Sequence, residues 1–262
     1  MKRINRHLLL LALPLILGFL LFYLLPFVGS LRYSVITSAF DHSFAGLTNY
    51  VDTLNNIYFR LSVKNTLELV LQGVPALIVL SLVLASFIQS SKMKMPIIMQ
   101  AALIMPMLVP SAAVANVFSK IPLDNPRIPL LAIYLWKNTG FLMLIYLSAF
   151  SMIPNEVYEA AALDGSGKAR SFFSITLPSI TGPLFFSAVL AMAYNLRLFR
   201  EAYLLYGAYP DTSVYLVQHY INNHFYKLNY QGLTSASMLF ALGLFMVLGV
   251  SIKFITKTVK ER

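Results

Sequence analysis

An all-α membrane protein with six spanning helices is the fold the sequence predicts, and three observations predict it. The chain is 58% hydrophobic and only 11% charged over 262 residues, with a mean hydropathy of +0.71. Soluble domains carry roughly a quarter charged residues, so the polar surface such a domain needs is missing. Apolar runs recur along the chain, each about 20 residues long, as crossing a hydrocarbon core of ~30 Å requires. These runs are continuous and rich in leucine, whereas the strands of a membrane barrel are short and alternating.

Each element follows from its own residues. A basic start, Met-Lys-Arg-Ile-Asn-Arg-His, precedes an apolar block over about 8–28. That block exceeds the roughly 7–15 residues of a signal-peptide core, so it reads as a retained first span. Residues 29–65 mix charged, amide and aromatic side chains and read as an extramembrane loop. The second span covers about 66–89, with Gly73 and Pro75 inside it and Glu68 near its outer end; a short connector follows with Lys92 and Lys94. A third span over about 96–119 contains Pro106 and Pro110, which remove backbone donors and predict a kink. A short proline-rich loop at 120–129 leads to span four at about 130–150, where Trp136 suits an interfacial belt and Lys137 can snorkel. Span five covers about 180–198. A polar, tyrosine-rich loop of roughly 200–231 follows, then span six at about 232–255 and a basic tail. No repeat or soluble domain interrupts the pattern, so 1–262 reads as one polytopic domain.

The net charge of +10 reflects topology rather than nucleic acid, because Lys and Arg collect on the cytoplasmic side of a membrane protein. With six spans, both termini share a side with the connector after span two and with the stretch between spans four and five. Eleven basic residues fall on that side and eight on the other, with Lys137 inside span four. The eleven crowd into short segments at span ends, where the rule operates. Both termini and the central stretch are therefore expected in the cytoplasm. The chain has no cysteine, which excludes disulfides and thiolate metal sites. His7, His42, His219 and His224 lack the spacing of a ligand cluster, and the last two read as surface residues of an aromatic loop.

The stretch from Pro154 to Pro178 stands apart, because it holds three of the ten acidic residues, Glu156, Glu159 and Asp164, between two apolar blocks. Gly165-Ser166-Gly167-Lys168-Ala169 resembles the end of a phosphate-binding loop. Such a loop needs a leading glycine and a hydroxyl after the lysine, and Ala162 and Ala169 stand there instead. The stretch reads as helix, turn, helix. Pro154 suits a first turn, Glu156 and Glu159 lie near the positive end of the dipole, and Ala160–Leu163 are strong helix formers. Asp164-Gly165 breaks the run, with Gly165 able to adopt the left-handed conformation of a helix terminus, and Ser166 can cap a second helix. In that helix Phe172 with Ile175, and Phe173 with Leu177, form two apolar ridges ahead of Pro178. A connector lying on the bilayer surface and a docking element for a cytoplasmic partner both fit such a pair.

Glu159-Ala160-Ala161-x-x-Asp164-Gly165, followed by Phe172, Ile175 and Leu177-Pro178 and preceded by Ile153-Pro154 and Tyr158, resembles the EAA loop of binding-protein-dependent ABC importer permeases. Ser166 departs from the alanine usual there. The resemblance extends over nearly the whole chain. Phe44-Ala-Gly-Leu-Thr-Asn-Tyr50, Asn65-Thr66, Trp136-x-x-x-Gly140-Phe141, Phe199-Arg-Glu-Ala-Tyr-Leu-Leu205 with Gly207 and Pro210, and Gly232-x-x-Ser235-Ala236 are similar to the sugar-type subfamily that includes maltose and glycerol-phosphate permeases. The loop between spans three and four is shorter than is usual in that subfamily.

The resemblance implies a type I importer in the bacterial plasma membrane. In it this chain and a second permease subunit, expected as a heterodimer, form the pathway, and an extracytoplasmic binding protein delivers solute. Two ATPase subunits bind ATP and Mg and push on the EAA helices, so this chain itself is expected to be no enzyme and to hold no cofactor or metal. Glu159, Ala160, Ala161, Asp164, Gly165, Phe172, Ile175, Leu177 and Pro178 are then the ATPase-coupling candidates. For a sugar pathway the suitable side chains are Trp136, Asn138, Tyr194, Asn195 and Arg197. A polyol or glycerol phosphate is the alternative solute. A stand-alone carrier would want carboxylates at mid-membrane, and Glu68 is the only acidic residue inside the predicted spans. A membrane enzyme would want a polar cluster near the interface, and none is visible.

Overall fold

The computed structural model describes residues 6–38, 41–91, 95–121 and 124–260. Lys2, Arg3, Lys92, Lys94 and Arg262, on which the orientation count partly rests, lie outside the described residues. Among those described the chain is helical, with a single antiparallel bridge between Ile36 and Phe44 as its only strand-like pairing. Five helices are long and apolar enough to cross a membrane, and a bent pair makes a sixth if it counts as one span.

The first helical stretch runs as α1 (Arg6–Phe19), a π-turn (Leu20–Leu24) and α2 (Leu25–Ser34), six residues beyond the predicted end. The π-turn has a local cause. Pro26 offers no N–H and its ring crowds the carbonyl four residues back, so the turn before it widens, and Leu25 N–H reaches Leu20 O. The predicted loop 29–65 shrinks to a short segment with its own helix, α3 (Thr48–Asn55). The next helix, α4 (Ile57–Ser90), begins nine residues earlier than the apolar run suggests. Asn56 starts it: its carbonyl oxygen accepts from Tyr58 N–H at 2.9 Å and Phe59 N–H at 3.3 Å, the capping chemistry that satisfies orphan donors.

The third span is broken rather than kinked. Helices α5 (Ile97–Leu108) and α6 (Ser111–Phe118) meet at 81°. Val109 and Pro110 are extended between them, because a residue before proline is pushed out of the helical region. Span four is α7 (Arg127–Ser151). The central stretch supplies α8 (Asn155–Leu163), α9 (Lys168–Ser171), a π-turn (Phe172–Thr176) and α10 (Leu177–Ser179). Span five is α11 (Thr181–Arg197), continued after Leu198 by α12 (Phe199–Tyr206). The predicted polar loop 200–231 is therefore largely helix: it also holds α13 (Val217–Tyr226), before α14 (Tyr230–Lys260).

The chain divides into two compact units. In the unit of 1–60 and 217–250, Gly46 turns left-handed at φ +60° so that Asn49 can donate to Ser34 O at 3.0 Å and Ile36 O at 2.9 Å. The Tyr50 hydroxyl meets Ser34 Oγ at 2.7 Å. Thr53 Oγ1 and Ser235 Oγ bond at 2.7 Å in a buried contact between α3 and α14. His219 is not a surface residue: it is fully buried, and burial pushes its imidazole down to about 4.

In the unit of 61–216 and 251–262, α7 is central. Leu130, Ile133, Tyr134, Leu142, Tyr146 and Phe150 on it are fully buried or nearly so. It packs on α5 through Gly140, where a Cβ would overlap the Leu103 carbonyl. It meets α11 through the Tyr134 hydroxyl, which donates to Ala191 O at 2.7 Å. Interhelical hydrogen bonds and small residues are what hold helices together where the solvent is lipid.

Candidate functional site

Two features of the 61–216 unit carry the candidate residues. The first is a cavity of about 480 Å³ walled by α5, α6, α7, α11 and α12. Tyr134, Lys137 and Asn138 enter it from one turn of α7, and Tyr194, Arg197, Arg200 and Glu201 from the α11–α12 junction. At Leu198 the helix restarts, so Glu201 falls in the first turn of α12, where the helix dipole favours a carboxylate. Glu201 Oε1 accepts from Lys137 Nζ at 2.9 Å and from Ser111 Oγ at 2.8 Å. Lys137 is thus no snorkelling residue: it is 14% exposed and its partner 7%. The structure also puts Glu201 inside a candidate span, Thr181–Tyr206, although the residue reads as loop in sequence. A charge within a spanning segment is costly unless paired or facing water, and this pair meets that condition.

Three of the five predicted pathway residues, Asn138, Tyr194 and Arg197, line the cavity, and two do not. Trp136 is 46% exposed and points elsewhere. Asn195 is buried and donates to Leu69 O at 3.2 Å. Its amide lies where a Cβ on Gly73 would come within 2.6 Å, so Gly73 and Asn195 form a close crossing of α4 and α11. Asn138 directs its own amide to Tyr134 O at 2.7 Å, within α7.

Sequence reasoning missed a further polar cluster. Arg127, at the start of α7, donates to Glu68, to Asn65 Oδ1 at 3.0 Å and to Ser213 O at 2.8 Å. Asn65 in turn donates to Thr212 O at 2.6 Å and Tyr215 O at 3.0 Å. This ties the segment after α12, whose Val214 and Leu216 are buried, to α4 and α7. The available signal was the pairing of Asn65 with Glu68, three apart on one helix face. Among the described residues no three His, Asp or Glu side chains come together as a metal site would need.

The second feature is the helix pair at 155–179. Helix α8 starts after extended Pro154 and stops as its residues dictate: Gly165 takes φ +77°, Gly165 N–H bonds Ala162 O at 3.0 Å and Ser166 N–H bonds Ala161 O at 2.9 Å. That is the Schellman arrangement of two nested bonds closed by a left-handed glycine. A Cβ on Gly165 would touch nothing within the chain, so the glycine is needed here for its dihedral rather than for space. Ser166 does not cap the second helix. Gly167 sits at its N-cap, and Ser166 Oγ accepts from Ser171 Oγ at 3.2 Å instead.

Leu177-Pro178 repeats the motif seen at Leu25-Pro26: a π-turn precedes the proline and Leu177 N–H reaches Phe172 O. The turn rotates the ridges. Phe172 is half-buried against the core of its unit, Thr176 is buried and its Oγ1 meets the Tyr158 hydroxyl at 2.9 Å, and Ile175, Leu177 and Pro178 are half-buried. Phe173 is outward at 67% exposed, and Leu163 at 91%. Glu159, Ala160, Asp164 and Gly165 are exposed, with Ala161 half-buried. The pair therefore shows solvent the carboxylates Glu159 and Asp164 together with uncovered Leu163 and Phe173.

Comparison with known proteins agrees with this architecture. Residues 65–262 match the family of binding-protein-dependent transport system inner membrane components. The chain is 29% identical over 224 residues to the arabinooligosaccharides transport system permease protein AraP of Bacillus subtilis, covering 74% of this chain and 70% of that one. It is 25% identical over 267 residues to the multiple sugar-binding transport system permease protein MsmF of Streptococcus mutans, covering 92% and 90%. In fold it is similar to a chain of a bacterial ABC transporter involved in the import of the acidic polysaccharide alginate, with a TM-score of 0.74 at 23% identity over 98% of both chains. The family match spans about three-quarters of the sequence, and the chain belongs to the binding-protein-dependent transport system inner membrane components.

Proposed function

We propose that this chain is the permease subunit of an ATP-driven importer for a carbohydrate. It forms half of the translocation pathway and takes its power from separate ATPase subunits. The observation that carries the reading is the helix pair. A short helix that exposes Glu159 and Ala160 beside half-buried Ala161, closed by left-handed Gly165, stands between two candidate spans of a chain in this family. Uncovered Leu163 and Phe173 supply the apolar area that a docked ATPase would cover. In this reading the pair faces the cytoplasm with both termini, as the basic residues at span ends suggest. An extracytoplasmic binding protein delivers solute to the opposite side, and a second permease subunit completes the pathway. ATP and Mg belong to the ATPases.

The carbohydrate reading is supported by the transport systems that AraP and MsmF serve, and by Tyr194 and Asn138 in the cavity wall. A tyrosine face and an amide are groups that suit a sugar ring. The test is reconstitution of the chain with its partner permease, candidate ATPase and binding protein. A panel of oligosaccharides, polyols and glycerol phosphate is then scored by binding-protein-stimulated ATP hydrolysis. An oligosaccharide is expected to stimulate most. Stimulation by polyols or glycerol phosphate alone would replace the carbohydrate reading, and failure to co-purify with any ATPase would remove the importer reading.

A further inference from the structure

We infer that the solute passing this cavity carries negative charge, so that the importer takes an acidic saccharide rather than a neutral one. The inference rests on the carbohydrate reading above and adds the solute's charge to it.

The argument is a charge balance within one unit of the chain. Four charged side chains line the cavity: Lys137, Arg197, Arg200 and Glu201. Lys137 and Glu201 neutralise each other at 2.9 Å, with Ser111 filling a further position on the same carboxylate oxygen. That leaves Arg197 and Arg200. Neither takes part in any of the three ion pairs among the described residues. Both are exposed in the chain, stand three apart across the Leu198 junction, and line the same cavity. The cavity therefore presents two cations and no free anion among its lining residues.

Placement makes the excess charge informative. Arg197 and Arg200 are the seventeenth and twentieth residues of the 26-residue candidate span Thr181–Tyr206. An arginine in a spanning segment faces a watery path or a partner rather than lipid. A guanidinium presents planar paired donors matched to a carboxylate. A neutral sugar would be served as well by amides and hydroxyls, without the cost of placing two like charges in one cavity wall. The neighbouring Tyr194 and Asn138 offer the aromatic face and the amide for the uncharged part of the ring. Fixed positive charge in a low-dielectric cleft also raises the local concentration of an anion and repels a cation.

The experiment uses the complete importer in proteoliposomes, with uptake normalised to binding-protein occupancy. The probes are uronate-containing trisaccharides and the same trisaccharides after reduction of their carboxyl groups. Uptake of an acidic member is expected to exceed that of its reduced counterpart by about tenfold, the size of one charge-assisted hydrogen bond. Arg197→Gln with Arg200→Gln is expected to abolish that preference, and Arg197→Lys with Arg200→Lys to retain most of it. Neutral members carried as well as acidic ones, with no change in the glutamine variant, would overturn the inference and leave the carbohydrate reading standing. Equal loss for all solutes together with poor recovery of the assembled complex would make the arginines structural and overturn it too. If no saccharide is taken up while a polyol is, the carbohydrate reading itself falls, and the inference with it.

Discussion

The cavity around Glu201 and the helix pair at 155–179 belong to the same compact unit and treat their surfaces in opposite ways. At the back of the cavity, polar groups are buried and partnered inside the chain, Glu201 by Lys137 and Ser111 and Tyr134 by Ala191, while Arg197 and Arg200 at its wall are exposed. In the helix pair the backbone is closed by the Schellman turn, yet Leu163 and Phe173 are left uncovered. The buried pairs of the first region stabilise the chain itself. The second is locally well formed and, in the proposed reading, is finished only by the docked ATPase. Stability and coupling should therefore respond to different substitutions.

The largest effect is expected at Lys137. Lys137→Met leaves the Glu201 carboxylate buried beside a single hydroxyl, and breaking a buried pair in this way costs about 3–5 kcal/mol. Thermal unfolding of the purified complex in detergent measures it. Lys137→Met with Glu201→Leu should recover most of the loss, and a double variant as unstable as the single one would contradict the pairing. Next is Gly140→Ala, which drives a methyl into the Leu103 carbonyl between α7 and α5. Overpacking of this kind costs about 1–3 kcal/mol, read as a lower unfolding temperature with the surface of the helix pair untouched.

Gly165→Ala should cost about 1 kcal/mol, because an alanine must hold a left-handed conformation; Gly165→Arg adds bulk at the proposed docking face. Glu159→Lys and Leu163→Ser, both exposed, should change stability by no more than about 0.5 kcal/mol. All four are expected to lower uptake per ATP hydrolysed while the complex still inserts in the membrane. Normal coupling in Glu159→Lys and Gly165→Arg would place the docking surface elsewhere. Global unfolding in Leu163→Ser would erase the contrast between the two regions.

Much of the local structure is legible in the residues themselves. Asp164-Gly165 predicts the helix stop and its left-handed glycine, and Pro110 predicts the disturbance of the third span, though not a bend of 81°. The Asn56 cap was equally local but is hidden by the polar residues around it, so α4 starts earlier than its apolar run. Leu25-Pro26 and Leu177-Pro178 show why facing is harder to read than helicity. A π-turn precedes each proline, and within the second of these turns Phe173 is the exposed ring while Phe172 is half-buried. The loop 200–231 reads as polar surface because Tyr, Asn and His dominate it, but it folds into α12 and α13 with Glu201, Val214 and His219 buried.

What the sequence by itself determined is the membrane class, the recurrence of long apolar helices, and the helix–turn–helix that follows the fourth apolar run. Run length, propensity and turn chemistry act over a few residues, so their outcome can be read locally. Only the tertiary structure decided which polar residues meet. Lys137 and Glu201 are 64 residues apart, Asn195 and Leu69 are 126 apart, and Arg127 and Ser213 are 86 apart. Whether a charge in a span is buried, paired or turned to a cavity depends on which face of its helix meets another. That face is chosen by packing over the whole unit, with Gly73 and Gly140 as the points of closest approach.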